Sequence, residues 1–532
     1  MKKMFFLTLT LLAAVSMFFA ACSGEKSDGI TFTIALSEDI RAVDAGVAWN
    51  YVTNQVTNQI TEGLVTFDAN SIIVPELASS WSQPDDLTYV YNVRDDIVFS
   101  DGSKMTMDDV LFSFERSRDP EGGTYFADFF SDVESFAVDG WQFIIRLRQP
   151  SAVFKFVPAT GAGRIISKAY YQQHMDDFGT ASGGIVATGP FVYHSWTSGQ
   201  EIILKKNNNY WNKEKLAANI VDTLIFKIIP EDTTRIIALQ TGSVDFCANL
   251  PQDQIDVLAS EQSLTLTSVD SAHLTYVALN TERLPMSDVN VRRAVSRALN
   301  IPDFQSRIIG RAGSAGTILP FGKALYGENA SKWEQYIRDN QGYTYDLAAA
   351  KRHLAASRYP NGFDCNIIVS ENSLANQRAL YIQEALKALN INVTIRRMSG
   401  DEQDTHQMGG VRDANGKRDY DMLIGGWEAD YPDLNGNIEI MFNSSQAEEG
   451  YNAAGYVNPA IDAQIISQRT TTDSAKRFDI QSQMMNTIVS DVPYIVFDYS
   501  YRMSVLNTKY TGLGVTASWL WVLPVQNVRK AN

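Results

Sequence analysis

The stretch DCNIIVSENSLANQRALYIQEALKALNINVTIRRM, residues Asp364–Met398, decides the fold class. Asp364–Val369 reads as a strand, Leu374–Leu389 as a helix and Ile391–Met398 as a second strand. A strand–helix–strand crossover of this kind implies a parallel pair with a right-handed connection. Upstream, Asp288–Asn300 reads as a helix with Val291, Ala294, Val295 and Ala298 inside and Arg292, Arg293 and Arg297 on a solvated face. Downstream, helices near 459–469 and 473–489 precede a strand at Tyr494–Phe497. The first half is richer in strands. Ile30, Phe32, Ile34 and Leu36 alternate with small or polar residues; so do Leu87, Tyr89, Tyr91 and Val93, and Trp141, Phe143, Ile145 and Leu147. Each reads as a half-buried strand. Between them Thr106 caps a helix with Asp108 and Asp109 in its first turn and Val110, Leu111 and Phe114 inside. Strands at Glu201–Lys205 and Thr223–Ile229 lead to a helix opened by Asp232 and ended by Gly242. The class is mixed α/β with more than one lobe.

With 532 residues the chain is too long for one core. Its net charge of −16 and its lack of a Lys/Arg-rich run argue against nucleic-acid binding. The N-terminus stands apart. Lys2 and Lys3 precede the apolar run Met4–Ala21, which ends in Phe19-Ala20-Ala21-Cys22. That is the layout of an export signal, with an uncleaved membrane anchor as the alternative. Export permits a disulfide between Cys247 and Cys365, but their distance in sequence says nothing of proximity, and buried free thiols are expected.

The most unusual chemistry lies in Tyr420–Phe442, YDMLIGGWEADYPDLNGNIEIMF. A strand-like run reaches Gly425-Gly426, which allow a turn or a close approach. Trp427, Tyr431 and three carboxylates, Glu428, Asp430 and Asp433, follow within seven residues. Acids and aromatics at a strand end suit a cationic group on a small ligand. A solvated surface turn fits the segment equally well.

Enzyme templates fail. There is no HExxH, GxSxG, GxxxxGK[ST] or GxGxxG, so no catalytic residues are expected. His174, His194, His273, His353 and His406 show no metal-ligand spacing, and Glu428, Asp430, Asp433 and Asn437 do not fit a calcium loop. No metal and no cofactor are expected.

One resemblance covers nearly the whole chain. Thr61–Arg116 supplies Glu62-Gly63-Leu64, Pro75-Glu76-Leu77-Ala78, Ser80-Trp81, Val98-Phe99-Ser100-Asp101-Gly102 and Asp109-Val110-Leu111-Phe112-Ser113. Thr188-Gly189-Pro190, Asn209-Tyr210-Trp211, Leu239-Gln240-Thr241-Gly242 and Val291-Arg292-Arg293-Ala294 continue the series, which runs on through Asp491-Val492-Pro493. In this order the motifs resemble bacterial family 5 solute-binding proteins, the peptide receptors of ABC importers. Val43-Asp44-Ala45 departs from the family's usual Leu-Asp-Pro.

The resemblance implies a type II periplasmic binding protein-like fold of three lobes. Lobe I would take 30–60, 187–273 and 495–532, lobe II 61–186 and lobe III 274–494, with the ligand closed between two hinged lobes. The Tyr420–Asp433 segment resembles the family's ligand loop, which makes Asp430 the holder of a peptide's α-ammonium group, flanked by Trp427 and Tyr431. Trp49, Asn50 and Tyr51 would meet the peptide backbone, and Tyr125 would reach in from lobe II. Small residues before Cys22 are similar to a lipoprotein cleavage site, despite Phe19. Residues 1–21 would then be the signal peptide, Cys22 the lipidated residue and 22–29 a tether. The implied protein is a monomer held by lipid at the cell envelope, facing the periplasm or the outer side of the cytoplasmic membrane. Its partners would be a permease and an ATPase. An oligosaccharide receptor, with Trp49 and Trp427 stacking on sugars, stays open, as does an adhesin or sensor lipoprotein.

Overall fold

The computed structural model describes residues 29–47, 50–248, 250–251, 254–340, 344–516 and 523–531. The leader, Cys22 and Trp49 lie outside the described residues. Among those described, no helix is long and apolar enough to cross a membrane.

A mixed sheet organises the molecule. From one edge its strands are Ile391–Met398, Phe363–Ser370, Met422–Glu428, Leu264–Leu279, Tyr494–Asn507, Phe246–Cys247, Ile30–Leu36, Val221–Ile228, Glu201–Lys206 and Phe191–Thr197. The crossover forms as its sequence implies: Phe363–Ser370 pairs parallel with Ile391–Met398, bridged by the helix Ser373–Leu386. Beside it, Ile367 and Ile368 pair parallel with Met422 and Leu423. Ile30–Leu36 is buried on both faces from Phe32 onward, not on one. Parallel neighbours Val221–Ile228 and Phe246–Cys247 enclose it, and Asp245 accepts the Thr33 N–H at 2.9 Å.

Two strands of unusual length, Leu264–Leu279 and Tyr494–Asn507, run side by side through the middle of the sheet. At one end Val269 and Leu506 pack with Phe32, Ile34 and Phe226. At the other, Leu274, Tyr276, Val496 and Tyr499 pack with Trp333 and Phe442. Ile495 and Phe497 join a further core against the crossover helix. Side chains of this strand as far as Tyr499 thus pack in the cores that hold Trp333, Phe442 and the crossover helix. The pairing register shifts between Asp270 and Leu274, at the crossing itself.

A separate core gathers apolar side chains from Leu64 to Val186 around an antiparallel sheet of Ala78–Asp85, Thr88–Val93, Gln142–Leu147 and Val133–Asp139. Here alternation is clean: Tyr89, Tyr91, Phe143, Ile145 and Leu147 face in. The helix Met107–Arg118 lies over them, its start fixed by a capping box between Thr106 and Asp109, and Phe114 sits 4.8 Å from Phe143.

Cys247 and Cys365 are buried and form no disulfide with each other, and burial pushes the Cys365 thiol up to about 12. Arg292 is a correction to the solvated face expected of its helix. It is buried and donates to the carbonyls of Asp491 and Met286, tying its helix to the end of the helix Ser474–Asp491.

Candidate ligand-binding site

The strand Met422–Glu428 runs straight through Gly425-Gly426, so the glycines serve close approach and not a turn. A Cβ at Gly425 would lie 2.6 Å from Gln407 Oε1, and one at Gly426 would lie 2.9 Å from His273 Nε2. Both gaps are too short for a side chain. The helix Gly400–Gln407 is thereby drawn against the strand, with Gln403 donating to the Ile424 carbonyl at 2.6 Å and Gln407 to that of Gly426 at 3.1 Å.

Beyond the glycines, each side chain has a distinct setting. Trp427 donates its indole N–H to the Gly436 carbonyl at 2.9 Å and meets the Tyr451 ring at 4.8 Å. Glu428 is ion-paired with Arg502 of the crossing strand, whose guanidinium lies 4.8 Å over the Tyr51 ring. Asp433 grips Arg477 with both oxygens, at 2.6 and 2.7 Å, in a partly buried pair.

Opposite, Asn50 caps the helix Tyr51–Ile60: its side-chain oxygen accepts the Thr53 N–H at 2.8 Å. Tyr51 and Asn54 follow on the first turn. These residues of the first-lobe helix and those of the third-lobe strand enclose one cavity of about 510 Å³. Its wall comprises Asn50, Tyr51 and Asn54; His273 from the crossing strand; Gln403, Asp404, Gln407 and Met408; and Gly426, Trp427, Glu428, Asp430 and Tyr451. That volume suits a small ligand.

Three carboxyl groups, those of Asp404, Glu428 and Asp430, lie on this wall. Burial raises the Asp404 carboxyl, with Asp401 adding to it. The Tyr451 hydroxyl is raised by burial and then by Asp404 and Asp430, which places both carboxylates near it. Burial pulls the His273 imidazole down to about 3, helped by Arg502 and Arg378, so it is neutral at ordinary pH. Arg502 is lowered by burial and supported by Tyr51.

Of the residues singled out from sequence, the structure brings Asn50, Tyr51, Trp427 and Asp430 to the same cavity. Tyr125 and Tyr431 do not line it. Tyr125 is 63% exposed, held by its backbone N–H on the Gly46 carbonyl at 2.9 Å. Tyr431 stacks on Phe156 at 5.9 Å and meets Phe129 edge-on, joining the second lobe to the third. Trp49 is outside the described residues. Asp404, His273 and Tyr451 also line the cavity, and none of them stands in a motif of the sequence. One signal was present: in GDEQDTHQ, Gln403, His406 and Gln407 fall at i, i+3 and i+4 and are the buried face of an otherwise acidic helix.

Two lobes joined by paired crossing strands, with a cavity walled from both sides, define a periplasmic solute-binding protein of the type II fold. Residues 73–449 match the family described as bacterial extracellular solute-binding proteins, family 5 Middle, and the chain belongs to that family. It is 27% identical over 438 residues to the "Probable D,D-dipeptide-binding periplasmic protein DdpA" of Escherichia coli K12, covering 81% of this chain and 80% of that one. It is 23% identical to the glutathione-binding protein GsiB of the same strain, over 97% of this chain and 96% of the relative. Among solved structures, the periplasmic binding protein DppA of Helicobacter pylori, in complex with peptide STSA, superposes with a TM-score of 0.76 at 24% identity. That match spans 95% of this chain and 98% of the other.

Proposed function

We propose that this chain is the peptide-capturing component of an ABC importer. The observation that carries this reading is the convergence of Asn50 and Tyr51 from one lobe with Trp427 and Asp430 from another on one cavity. A ligand touching both sides favours closure, whereas a ligand touching one side shifts nothing. Peptide binding is also what the dipeptide- and glutathione-binding relatives support.

In this reading Asp430 accepts a charge-assisted hydrogen bond from the peptide's α-ammonium. Trp427 supplies an aromatic face to the same cation. The Asn50 oxygen is committed to its helix cap, which leaves its amide NH2 to meet a peptide carbonyl. An extended peptide held through its main chain tolerates varied side chains. The paired strands Leu264–Leu279 and Tyr494–Asn507 act as the hinge between lobes I and III, with lobe II an elaboration of lobe I. A permease and ATPase receive the closed form. The chain works as a monomer tethered by lipid on Cys22 after loss of residues 1–21.

Asp430→Ala tests the anchor. A charged hydrogen bond in a desolvated cleft contributes ~1.5–3 kcal/mol, so affinity for a good peptide falls roughly ten- to hundredfold by calorimetry. Thermal unfolding of the variant stays unchanged. Unaltered affinity removes Asp430 from that role. Native mass spectrometry of protein purified without refolding tests the class: copurifying short peptides support it, and hexose ladders turn the reading to the oligosaccharide receptor.

A further inference from the structure

The third lobe holds two further cavities. Among the described residues they share no wall with the one between the lobes. The larger, of about 360 Å³, lies where the helices Val289–Ala298, Asn435–Phe442 and Ser474–Asp491 end against the start of the strand Tyr494–Asn507. Leu299, Ile318, Phe442, Ile488, Val489 and Ile495 give it an apolar wall. Two polar groups on that wall are engaged elsewhere. The Asn300 side-chain oxygen accepts the Asp303 N–H at 3.3 Å, and the Thr317 hydroxyl meets that of Tyr499 at 2.7 Å. Such a chamber favours hydrocarbon over water. Tyr345, on the same wall, is 45% exposed, which gives the chamber a side toward solvent.

The smaller cavity, of about 250 Å³, is basic. Arg293, Arg297 and His353 line it beside Ser296, Ser490 and Val492. Arg293 is held in place by donating to the Ser490 carbonyl and hydroxyl, both at 2.8 Å. Burial lowers the His353 imidazole, and Arg293, Arg297 and Arg352 lower it further, so three guanidiniums act on one ring. Asp346 offsets part of this charge. Its carboxyl accepts the Ala349 N–H at 2.9 Å and is held below its ordinary range by that bond, then by Arg352 and Arg297.

Ser296 and Val492 belong to both walls, so the apolar chamber and the basic one adjoin. A molecule matching both has one hydrocarbon chain and a small anionic head. We infer that the paired cavities form a second ligand site, for a single-chain amphiphile with a carboxylate or phosphate head. The chain lies among Leu299, Phe442 and Val489, and the head meets Arg293, Arg297 and His353. This site stands independently of the peptide reading.

Calorimetry with hexanoate, octanoate, decanoate, decyl phosphate and decanol tests it. Each methylene added from hexanoate to decanoate tightens binding about fourfold. Decanol, which lacks the charge, binds at least about tenfold more weakly than decanoate. Whichever of decanoate and decyl phosphate binds more tightly names the head. Arg293→Gln combined with Arg297→Gln shrinks the difference between decanoate and decanol to less than about threefold, while decanol affinity and cooperative melting are kept. By proton NMR, decanoate raises the pH midpoint of the His353 ring, because an anion beside it favours the protonated form. Decanoate that fails to bind, gains nothing with chain length or leaves the His353 signals unmoved overturns the inference. So does binding that appears only in Tyr343→Ala, which would show that the chain itself fills the chamber.

Discussion

Two acid clusters in this molecule use the same residue types to opposite ends. At the junction of the first and second lobes, Glu62 accepts from Tyr210 and Trp211 at 2.7 and 2.8 Å, and Glu76 faces Arg164 at 3.5 Å and accepts the Gly63 N–H. Nothing can enter; Glu62 is 3% exposed. In the cleft, Glu428 meets Arg502 as Glu76 meets Arg164, yet Asp404 and Asp430 stand on the wall of an open cavity. A carboxylate sealed with its partner serves the fold, whereas one on a cavity wall is within reach of a small molecule. Glu62-Gly63-Leu64 and Trp427-Glu428-Ala429-Asp430 look equally functional as text. Only enclosure separates them.

The sharpest way to break that contrast is Arg164→Ala. Removing one partner of a buried pair leaves the other charge uncompensated, so stability falls by ~3–5 kcal/mol in urea titration. Peptide affinity of the folded fraction is unchanged. A loss of affinity instead would make the sealed cluster part of the binding apparatus.

Glu428→Ala comes next and affects both properties. Its ion pair is about four-fifths buried, with side chains 17% and 19% exposed, so the loss is discounted to ~1–3 kcal/mol. Arg502 loses a carboxylate partner on the cavity wall, so tetrapeptide affinity measured by calorimetry shifts by more than about threefold. A fall in stability with unchanged affinity would confine Glu428 to a structural role.

The two clusters also separate along the pH axis. Burial and Glu76 push the Glu62 carboxyl from its ordinary 4.5 to about 8. A raised carboxyl binds its proton more tightly in the folded state, so its contribution is complete below pH 4.5 and is lost as pH rises through 8. His273 works the other way: its imidazole falls from 6.5 to about 3, so stability is kept above 6.5 and lost on acidification toward 3. Denaturant midpoints therefore decline on both sides of a plateau near pH 5–6.5, by on the order of 1–3 kcal/mol at each end. Glu62→Gln flattens the alkaline limb alone and His273→Gln the acid limb alone. If either substitution flattened both, the assignment of the limbs would be wrong.

Legibility in the sequence followed enclosure in the same way. Where a sheet is wet on one face, as at Thr88–Val93, alternation alone specified which side chains are buried. The crossover at Phe363–Met398 was equally plain, since strand and helix each kept their own period. Ile30–Leu36 misled because small residues on its second face, Thr33 and Ala35, are buried by parallel neighbours as readily as Phe32 and Ile34. Arg292 misled because a guanidinium reads as surface until carbonyls of another segment take its donors. In the site, Trp427 and Asp430 stood out as neighbours in one segment. Asp404, His273 and Tyr451 come from three others, and no local pattern brings them together before the sheet does. The glycines were legible as permissive but not as straight: only Gln407 and His273, distant in sequence, show that the missing side chains make room.

The smallest expected effect falls on Tyr125, and it is the most telling about motion. The family resemblance brings this residue to the ligand from lobe II, whereas the structure leaves it 63% exposed and fastened to Gly46 by its backbone. A truncation that removes no buried contact changes stability by no more than ~0.5 kcal/mol, so Tyr125→Ala melts with the parent protein. Because the side chain is off the cavity wall, affinity for a tetrapeptide stays within about twofold, a difference of ~0.4 kcal/mol. A tenfold loss with unchanged melting would require the bound state to carry Tyr125 onto the ligand. Lobe II would then close separately over the cleft, beyond the Tyr431–Phe156 stack that already joins it to lobe III. Calorimetry on this one variant distinguishes a rim that is fixed from one that moves.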